Sequence, residues 1–529
     1  MSSTVERLAH WVAEVTANDV PDEVIDLCRA QRRSVIGAMS ASTIDGATQR
    51  VLAGIASWAG PGPVSLPGLP EPVRVDDAIY AATVLSIALD FDDYACFAHT
   101  GHSAVLVPML LAAETGSSGT DQLVAQVVAN EIEARLGGAC LLGPLNGQLW
   151  SFVHAAGSAV AAARVLGLDG LRTAHALALA LYQAPRPTMP GFMAPDSKLL
   201  TAAEPAAVGL RAARLAAAGV TGPLDALDHP QGFFDAFTHA PLPAVLDGLG
   251  DGWATKTMSI KPYPGCAYVD TTIDALAELG PPPAEEIARI DIDASVLTCE
   301  MDALSSRYGT GRIPTPVTVT FSIPWTVAVM VVAGRLTPYE TNEAWLAEHH
   351  RQLAHVADRV TLTHDWSLTL QTAEAMAPLL PPRALLKGAP KARRLAGAVR
   401  SVRREHEGLQ TSPRDAVELV RALRDAGLGG ARRAAGGRRM WAPRAVDGFA
   451  MTFPARVRVT LLDGTVAEAE RAVPIGGAGN GTASPEVVSR EKLDRWGPLA
   501  WGDDDTAALA AAIDADAPDL WRHLAGVET

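Results

Sequence analysis

Cysteine is scarce: Cys28, Cys96, Cys140, Cys266 and Cys299 are the only five in 529 residues, with no paired spacing. That pattern predicts no disulfide framework and suits reduced thiols in a cytoplasmic protein. Long apolar runs are also missing. None reaches the roughly 18 residues that a membrane span needs, and the longest, in 323–334, reads as a buried helix. No membrane partner is expected. The opening MSSTVERLAHWVAEV pairs a helical apolar pattern with acids and lacks a secretory hydrophobic region, which again predicts a cytoplasmic location.

Positive charge is in deficit, 44 Lys and Arg against 59 Asp and Glu, for a net −15. The deficit is uneven. Residues 366–445 hold 16 basic against 6 acidic side chains, a local +10, so the remainder carries −25. An arginine-rich stretch can grip RNA or an acidic partner. Here it lacks the interleaved aromatics on which single-stranded nucleic acid stacks. A solvated helical hairpin or an excursion against the acidic body is the favoured reading, and no nucleic-acid partner is expected.

What remains is ordinary globular usage. The chain is 48% hydrophobic and 19% charged, tilted toward alanine and leucine and so toward helix. Its length suffices for two domains with well-developed cores. Residues 1–258 read as helical throughout, with apolar residues three and four apart and Gly/Pro punctuation. GSAVAAARVLGL and AAVGLRAARLAAAG line small residues along one face, which lets helices approach closely. Strand-like alternation comes later, at 288–297, 359–365 and 455–474, the last with a hairpin turn at Asp463-Gly464. Ser484-Pro485-Glu486 then opens a terminal helix. The expected fold is mainly α: a large all-helical domain interrupted by a smaller α+β lid domain. Its boundaries fall at 1–258, 259–474 with the insertion at about 366–445, and 475–529 returning to the helical domain.

The densest chemistry lies in 89–114, LDFDDYACFAHTGHSAVLVPMLLAAE. Asp90, Asp92, Asp93, His99 and His102 fall within 13 residues, immediately before an apolar helical run. Acids and bases so crowded repel one another and lose hydration when buried, so a fold seldom keeps them without a use. The plainer reading is a polar helix–helix loop with Ser103 as an N-cap.

That segment resembles the Asp-Phe-Asp-Asp signature of the MmgE/PrpD family, which includes 2-methylcitrate dehydratases, cis-aconitate decarboxylases and iminodisuccinate epimerases. Collinear matches follow at 157–169, 197–223, 259–276, 321–336, 459–470 and 474–486. The resemblance covers about 1–365 and 446–529 and makes the Arg-rich stretch an insertion. It implies the split architecture described above, a homodimer and an active site in the cleft between domains. It also implies acid–base chemistry, with His102 the first choice and His99 its competitor, Asp90 orienting the imidazole, and carboxylate binding by Lys198 and Lys261. Both lysines sit in apolar, Pro-flanked segments with few acids nearby in sequence, which suggests cations kept for an anionic ligand.

The departures are specific. Tyr94 stands where the family has threonine and joins the catalytic candidates. Gln148, or Asn146, stands near the place of a family histidine. His154 comes a turn later, on the following helix, with a core or cap role. Cys266 follows the Lys261 motif where a histidine is common, and with Gln148 it joins the candidate substrate-binding residues. Losing a titrating group removes a proton donor or acceptor.

Rival chemistries are weaker. Gly101-His102-Ser103-Ala104-Val105 lacks the last glycine of a hydrolase elbow and follows no strand. The Asp/His cluster has metal-ligand types but no second cluster, so no metal is expected. GGAGNG (476–481) lacks a βαβ context and reads as a turn. The expected protein is a cofactor-independent lyase, a dehydratase or decarboxylase, acting on a small carboxylic acid. An epimerase or isomerase of a related dicarboxylic acid is the alternative, and so is a family member that has lost catalysis and binds only.

Overall fold

The computed structural model describes residues 2–143, 151–193, 195–308, 313–377 and 443–525, with the single positions 379 and 417. The expected Gln148 and Asn146, and most of the Arg-rich insertion, lie outside the described residues.

The alanine- and leucine-rich first part folds as α1 (Thr4–Glu14), α2 (Asp22–Ser42), α3 (Gly46–Ala56), β1 (Pro61–Val64), α4 (Val75–Ile87) and β2 (Asp93–Ala95). It continues through α5 (Gly101–Ala104), α6 (Leu106–Thr115), α7 (Gly119–Ala139), α8 (Phe152–Val165), α9 (Gly170–Tyr182), α10 (Met189–Met193) and α11 (Ala203–Ala217). Then come α12 (Phe233–Phe237), β3 (Met258–Ile260), α13 (Ala267–Leu279), β4 (Ile287–Ala294), α14 (Val296–Ser306) and α15 (Pro316–Thr320). The elements α16 (Ile323–Ala333), α17 (Glu343–Ala357) and β5 (Val360–His364) precede the insertion, and α18 (Trp366–Met376) opens it. After it stand α19 (Pro443–Val446), β6 (Ala455–Leu461), β7 (Val466–Arg471), α20 (Pro485–Trp496) and α21 (Pro498–Asp514).

The architecture is mainly α with a small α+β part. One four-stranded sheet has the order β5-β4-β6-β7, with β4 and β5 parallel and the other pairs antiparallel. Its β6–β7 hairpin turns at Asp463-Gly464, where Gly464 takes φ 89°, a left-handed conformation that costs a glycine little. Among the described residues, no helix is long and apolar enough to cross a membrane. The apolar run at 323–334 forms α16, most of which is buried.

Small residues do bring helices together. A β-carbon at Gly157 of α8 would overlap the Glu133 carboxyl of α7, and one at Gly209 of α11 would overlap the Ala155 carbonyl of α8. Backbones at that separation interlock like a close-packed solid, so even one added methyl is felt.

Helix does not run unbroken to 258. Asp93–Ala95, read from sequence as loop, is a strand paired antiparallel with β3, in the register Asp93–Ile260, Tyr94–Ser259 and Ala95–Met258. Three residues hold too little periodicity to announce a strand, and the partner lies some 160 residues away. Ser484 and Pro485 open α20 as expected, although the Ser484 side chain makes no capping hydrogen bond.

Candidate active site

The β2–β3 ribbon draws the acid-rich segment and the Lys261 motif together. Beyond the paired strands, the Lys261 amide donates to the Asp92 carbonyl at 3.1 Å. The glycine-rich 476–481 segment is the expected turn, and it clamps β3 from behind. The Gly476 carbonyl accepts from the Ile260 amide at 2.8 Å, and the Ala478 amide donates to Ser259 Oγ at 2.9 Å.

On the other side α4 stops at Ile87, and the chain reverses through Asp90, whose φ of 54° is left-handed. Aspartate tolerates that region better than most residues, though not without strain. Lys198 covers the exposed helix end: its Nζ donates to the Ile87 carbonyl at 2.7 Å and to Asp90 Oδ1 at 2.9 Å. A cation at a helix C-terminus is favoured by the backbone dipoles.

The two lysines are therefore not idle cations, as their acid-poor sequence neighbourhoods suggested. Lys261 Nζ donates to the Asp90 carbonyl at 2.8 Å, lies 2.5 Å from Asp92 Oδ1 and 3.4 Å from Asp90 Oδ2. Acids distant in sequence neutralise both lysines, and only the fold brings them there. A second correction concerns the imidazoles. Asp92 orients them, whereas Asp90 serves the lysines: Asp92 Oδ2 accepts from His99 Nδ1 at 2.9 Å and lies 2.8 Å from His102 Nε2.

The histidines differ in availability. His102 is 0% exposed, and its Nδ1 is also engaged, 2.8 Å from Ser86 Oγ. His99 is 5% exposed, and among the described residues its Nε2 has no hydrogen-bond partner. The Tyr94 ring lies 6.0 Å from the His99 ring and is buried. Cys266 is the N-cap of α13, half-buried beside a small apolar cluster of Phe192, Met193, Leu304, Val317 and Phe321.

Asp93 turns away from the imidazoles into an amide network. Its Oδ2 accepts from Gln31 Nε2 at 2.7 Å and from the Gly101 amide at 3.2 Å, while Gln31 also meets Thr100 and Asn130. Ser103 is not an N-cap. It lies within α5, where Oγ donates to Glu133 at 2.8 Å and approaches His154 Nδ1 at 2.9 Å. His154 occupies the core role expected of it, on α8, with its ring 5.6 Å from that of His102. Gln31, Ser86, Asn130 and Glu133 escaped sequence reading, since each is a polar residue on a helix that nothing local marks as buried. A further buried lysine, Lys492, escaped for the same reason.

Electrostatics follow from burial and pairing. Burial works to raise the Asp92 carboxyl, but Lys261 and then His99 hold it well below the usual range. Asp90 is likewise lowered, as Lys198 and Lys261 outweigh its burial. Burial, with help from Asp92, pushes Asp93 up. Burial pushes the Glu133 carboxyl well up and the His154 imidazole well down, which favours the neutral form of each. The Tyr94 phenol and the Cys266 thiol also rise through burial, the thiol to about 12. Among the described residues, no group of three or more His, Cys, Asp or Glu side chains is disposed to hold a metal ion.

Residues 6–245, which carry the Asp/His segment and Lys198, match the MmgE/PrpD N-terminal domain. Two curated relatives, both named cis-aconitate decarboxylase, come from Aspergillus terreus and from its strain NIH 2624 / FGSC A1156. Each is 24% identical over 300 residues, 53% of this chain. The chain spans about 60% of the length of these relatives. Over residues 6–245, then, this chain is similar to the MmgE/PrpD family.

Proposed function

We propose that this protein is a cofactor-independent lyase that dehydrates or decarboxylates a small carboxylic acid, with His99 as the proton carrier. The carrying observation is the His99–Asp92 pair: a carboxylate held ionised accepts from Nδ1, and Nε2 has no hydrogen-bond partner among the described residues. That tautomer makes Nε2 a base, and Asp92 stabilises the imidazolium once formed. The cis-aconitate decarboxylase relatives support the lyase class.

In a dehydration, Nε2 takes a proton from the carbon beside a substrate carboxylate, and the hydroxyl leaves the adjacent carbon. The Tyr94 phenol, kept protonated by burial, is the donor proposed for that leaving group. In a decarboxylation the carbon–carbon bond breaks, carbon dioxide leaves, and His99, protonated from solvent before the step, gives its Nε2 proton to the carbanion. Lys198 donates to two acceptors among the described residues and so keeps one of its three N–H groups for a substrate carboxylate. Lys261 is saturated by Asp90 and Asp92, and its part is to hold those carboxylates in place. We carry the homodimer implied by the family resemblance into the same proposal. Light scattering tests it, and a mass near the 55.4 kDa of one chain would overturn it.

Proton NMR in D₂O tests the chemistry, with citrate-like, aconitate-like and amino-dicarboxylate acids beside a His99→Gln variant. New alkene or lost carbon dioxide in the wild type, absent in the variant, is expected. Turnover that survives the substitution would overturn the assignment of His99. Deuterium exchange without net product would move the reaction to the epimerase class.

A further inference from the structure

The Asp90–Phe91–Asp92 backbone is held at each of its three carbonyls. Lys261 Nζ and the Gly265 amide bind that of Asp90, the Lys261 amide binds that of Asp92, and Lys492 Nζ binds that of Phe91 at 3.1 Å. Lys492 belongs to α20, far outside the region matched to the N-terminal family domain. On that helix Pro485, Val488, Ser489, Lys492, Leu493 and Trp496 form the buried stripe, so a lysine takes a place where helical periodicity calls for an apolar residue.

The placement is built on several sides. Lys492 is 3% exposed; its Nζ meets Ser34 Oγ of α2 at 3.0 Å and stands 3.9 Å from the centre of the Phe91 ring. Gly37 of α2 makes room for its stem, since a β-carbon there would lie 3.0 Å from Lys492 Cγ. An ammonium taken this far from water costs stability unless it is paired, and no carboxylate forms a salt bridge with it among the described residues. The charged groups facing it are Asp92 and Asp93 beside β2, Lys261 after β3 and Asp270 on α13. Burial draws its ammonium down to about 7 against the pull of Asp92 and Asp93.

We infer that Lys492 is a positioning residue that fixes the Asp90–Asp92 segment through the Phe91 carbonyl, and through Asp92 sets the orientation of His99. The inference rests on the proposed acid–base role of His99. Lys492 touches no substrate in this scheme: it acts on the backbone between the two working carboxylates.

Lys492→Met and Gly37→Ala test it, the first removing the ammonium and the second displacing it with its charge intact. With a turned-over acid, Lys492→Met is expected to lower kcat about tenfold or more and leave KM within about threefold. It is also expected to remove an ionisation near neutral pH from the kcat profile. Gly37→Ala should lower kcat in the same direction but less. An unchanged pH profile in Lys492→Met would overturn the inference, even with reduced activity, because a merely structural lysine would leave the profile in place. If the wild type turns over no acid, the lyase reading fails separately. Lys492 is then judged by nitrogen NMR of the His99 ring, whose resonances Lys492→Met should displace at fixed pH. No shift in folded protein would overturn it.

Discussion

Gly101 and Asp93 are fitted to each other so closely that no β-carbon fits at Gly101: it would overlap Asp93 Oδ1. The amide of the same glycine donates to Asp93 Oδ2 at 3.2 Å. Gly101→Ala must push the carboxylate out of the Gln31 network. Overpacking of this kind costs about 1–3 kcal/mol. A lowered urea midpoint is expected, and an unchanged one would show that the network yields without cost.

The two imidazoles should separate by experiment. His99→Gln is expected to lower turnover by about 10²–10⁴-fold, the usual worth of a positioned acid–base group, with little change in melting temperature. His102→Gln should reduce stability as well, because both ring nitrogens of this buried side chain are engaged. Kinetics and thermal melts on both variants decide. Equal thermal losses would mean that His99 too is chiefly structural.

Lys198 and Asp90 form a fully buried ion pair. Removing one partner of such a pair typically costs about 3–5 kcal/mol, since the other charge is left in a poor solvent. Lys198→Met alone should therefore destabilise the chain severely. The Lys198→Met/Asp90→Asn double variant should recover part of that loss, leaving Lys261 with Asp92. A double-mutant cycle in urea measures the coupling, and additive losses would show that the pair is uncoupled.

The dependence of stability on pH has two opposing parts. Asp90 and Asp92 are lowered in the fold, so their contribution is complete above the ordinary carboxylate range near 4 and is lost as pH falls through their folded values. Glu133 and Asp270 are raised well above theirs by burial. Unfolding then releases protons from them above about pH 4, so their effect is a loss of stability as pH rises through their folded values. Glu133→Gln, which keeps an acceptor for Ser103, should flatten the decline that sets in above the ordinary carboxylate range. Urea titrations at several pH values read this directly, and an unchanged slope would mean that Glu133 ionises freely in the fold.

Much of this was legible in residues close together in the chain. The helical periodicity, the alternating strands β4 to β7, the Asp463-Gly464 turn and the crowded Asp/His segment are local patterns, and each appears where expected. What failed was pairing. Lys198 and Lys261 looked unpartnered because their acids lie more than a hundred residues away. Asp90 was given the role of Asp92 because two carboxylates two residues apart are chemically identical until a backbone turn separates them.

By itself, then, the sequence determined which groups this protein holds: the acids, imidazoles and lysines of an MmgE/PrpD-like segment, set on a chain rich in helix formers. Only the tertiary structure decided who meets whom. The β2–β3 ribbon brings Lys261 onto Asp90 and Asp92, α20 brings Lys492 onto Phe91, and the left-handed turn at Asp90 gives Lys198 to one carboxylate and both histidines to the other. Helical periodicity is written over a few residues, whereas the partner of a buried charge is chosen by chain crossings that no local pattern records.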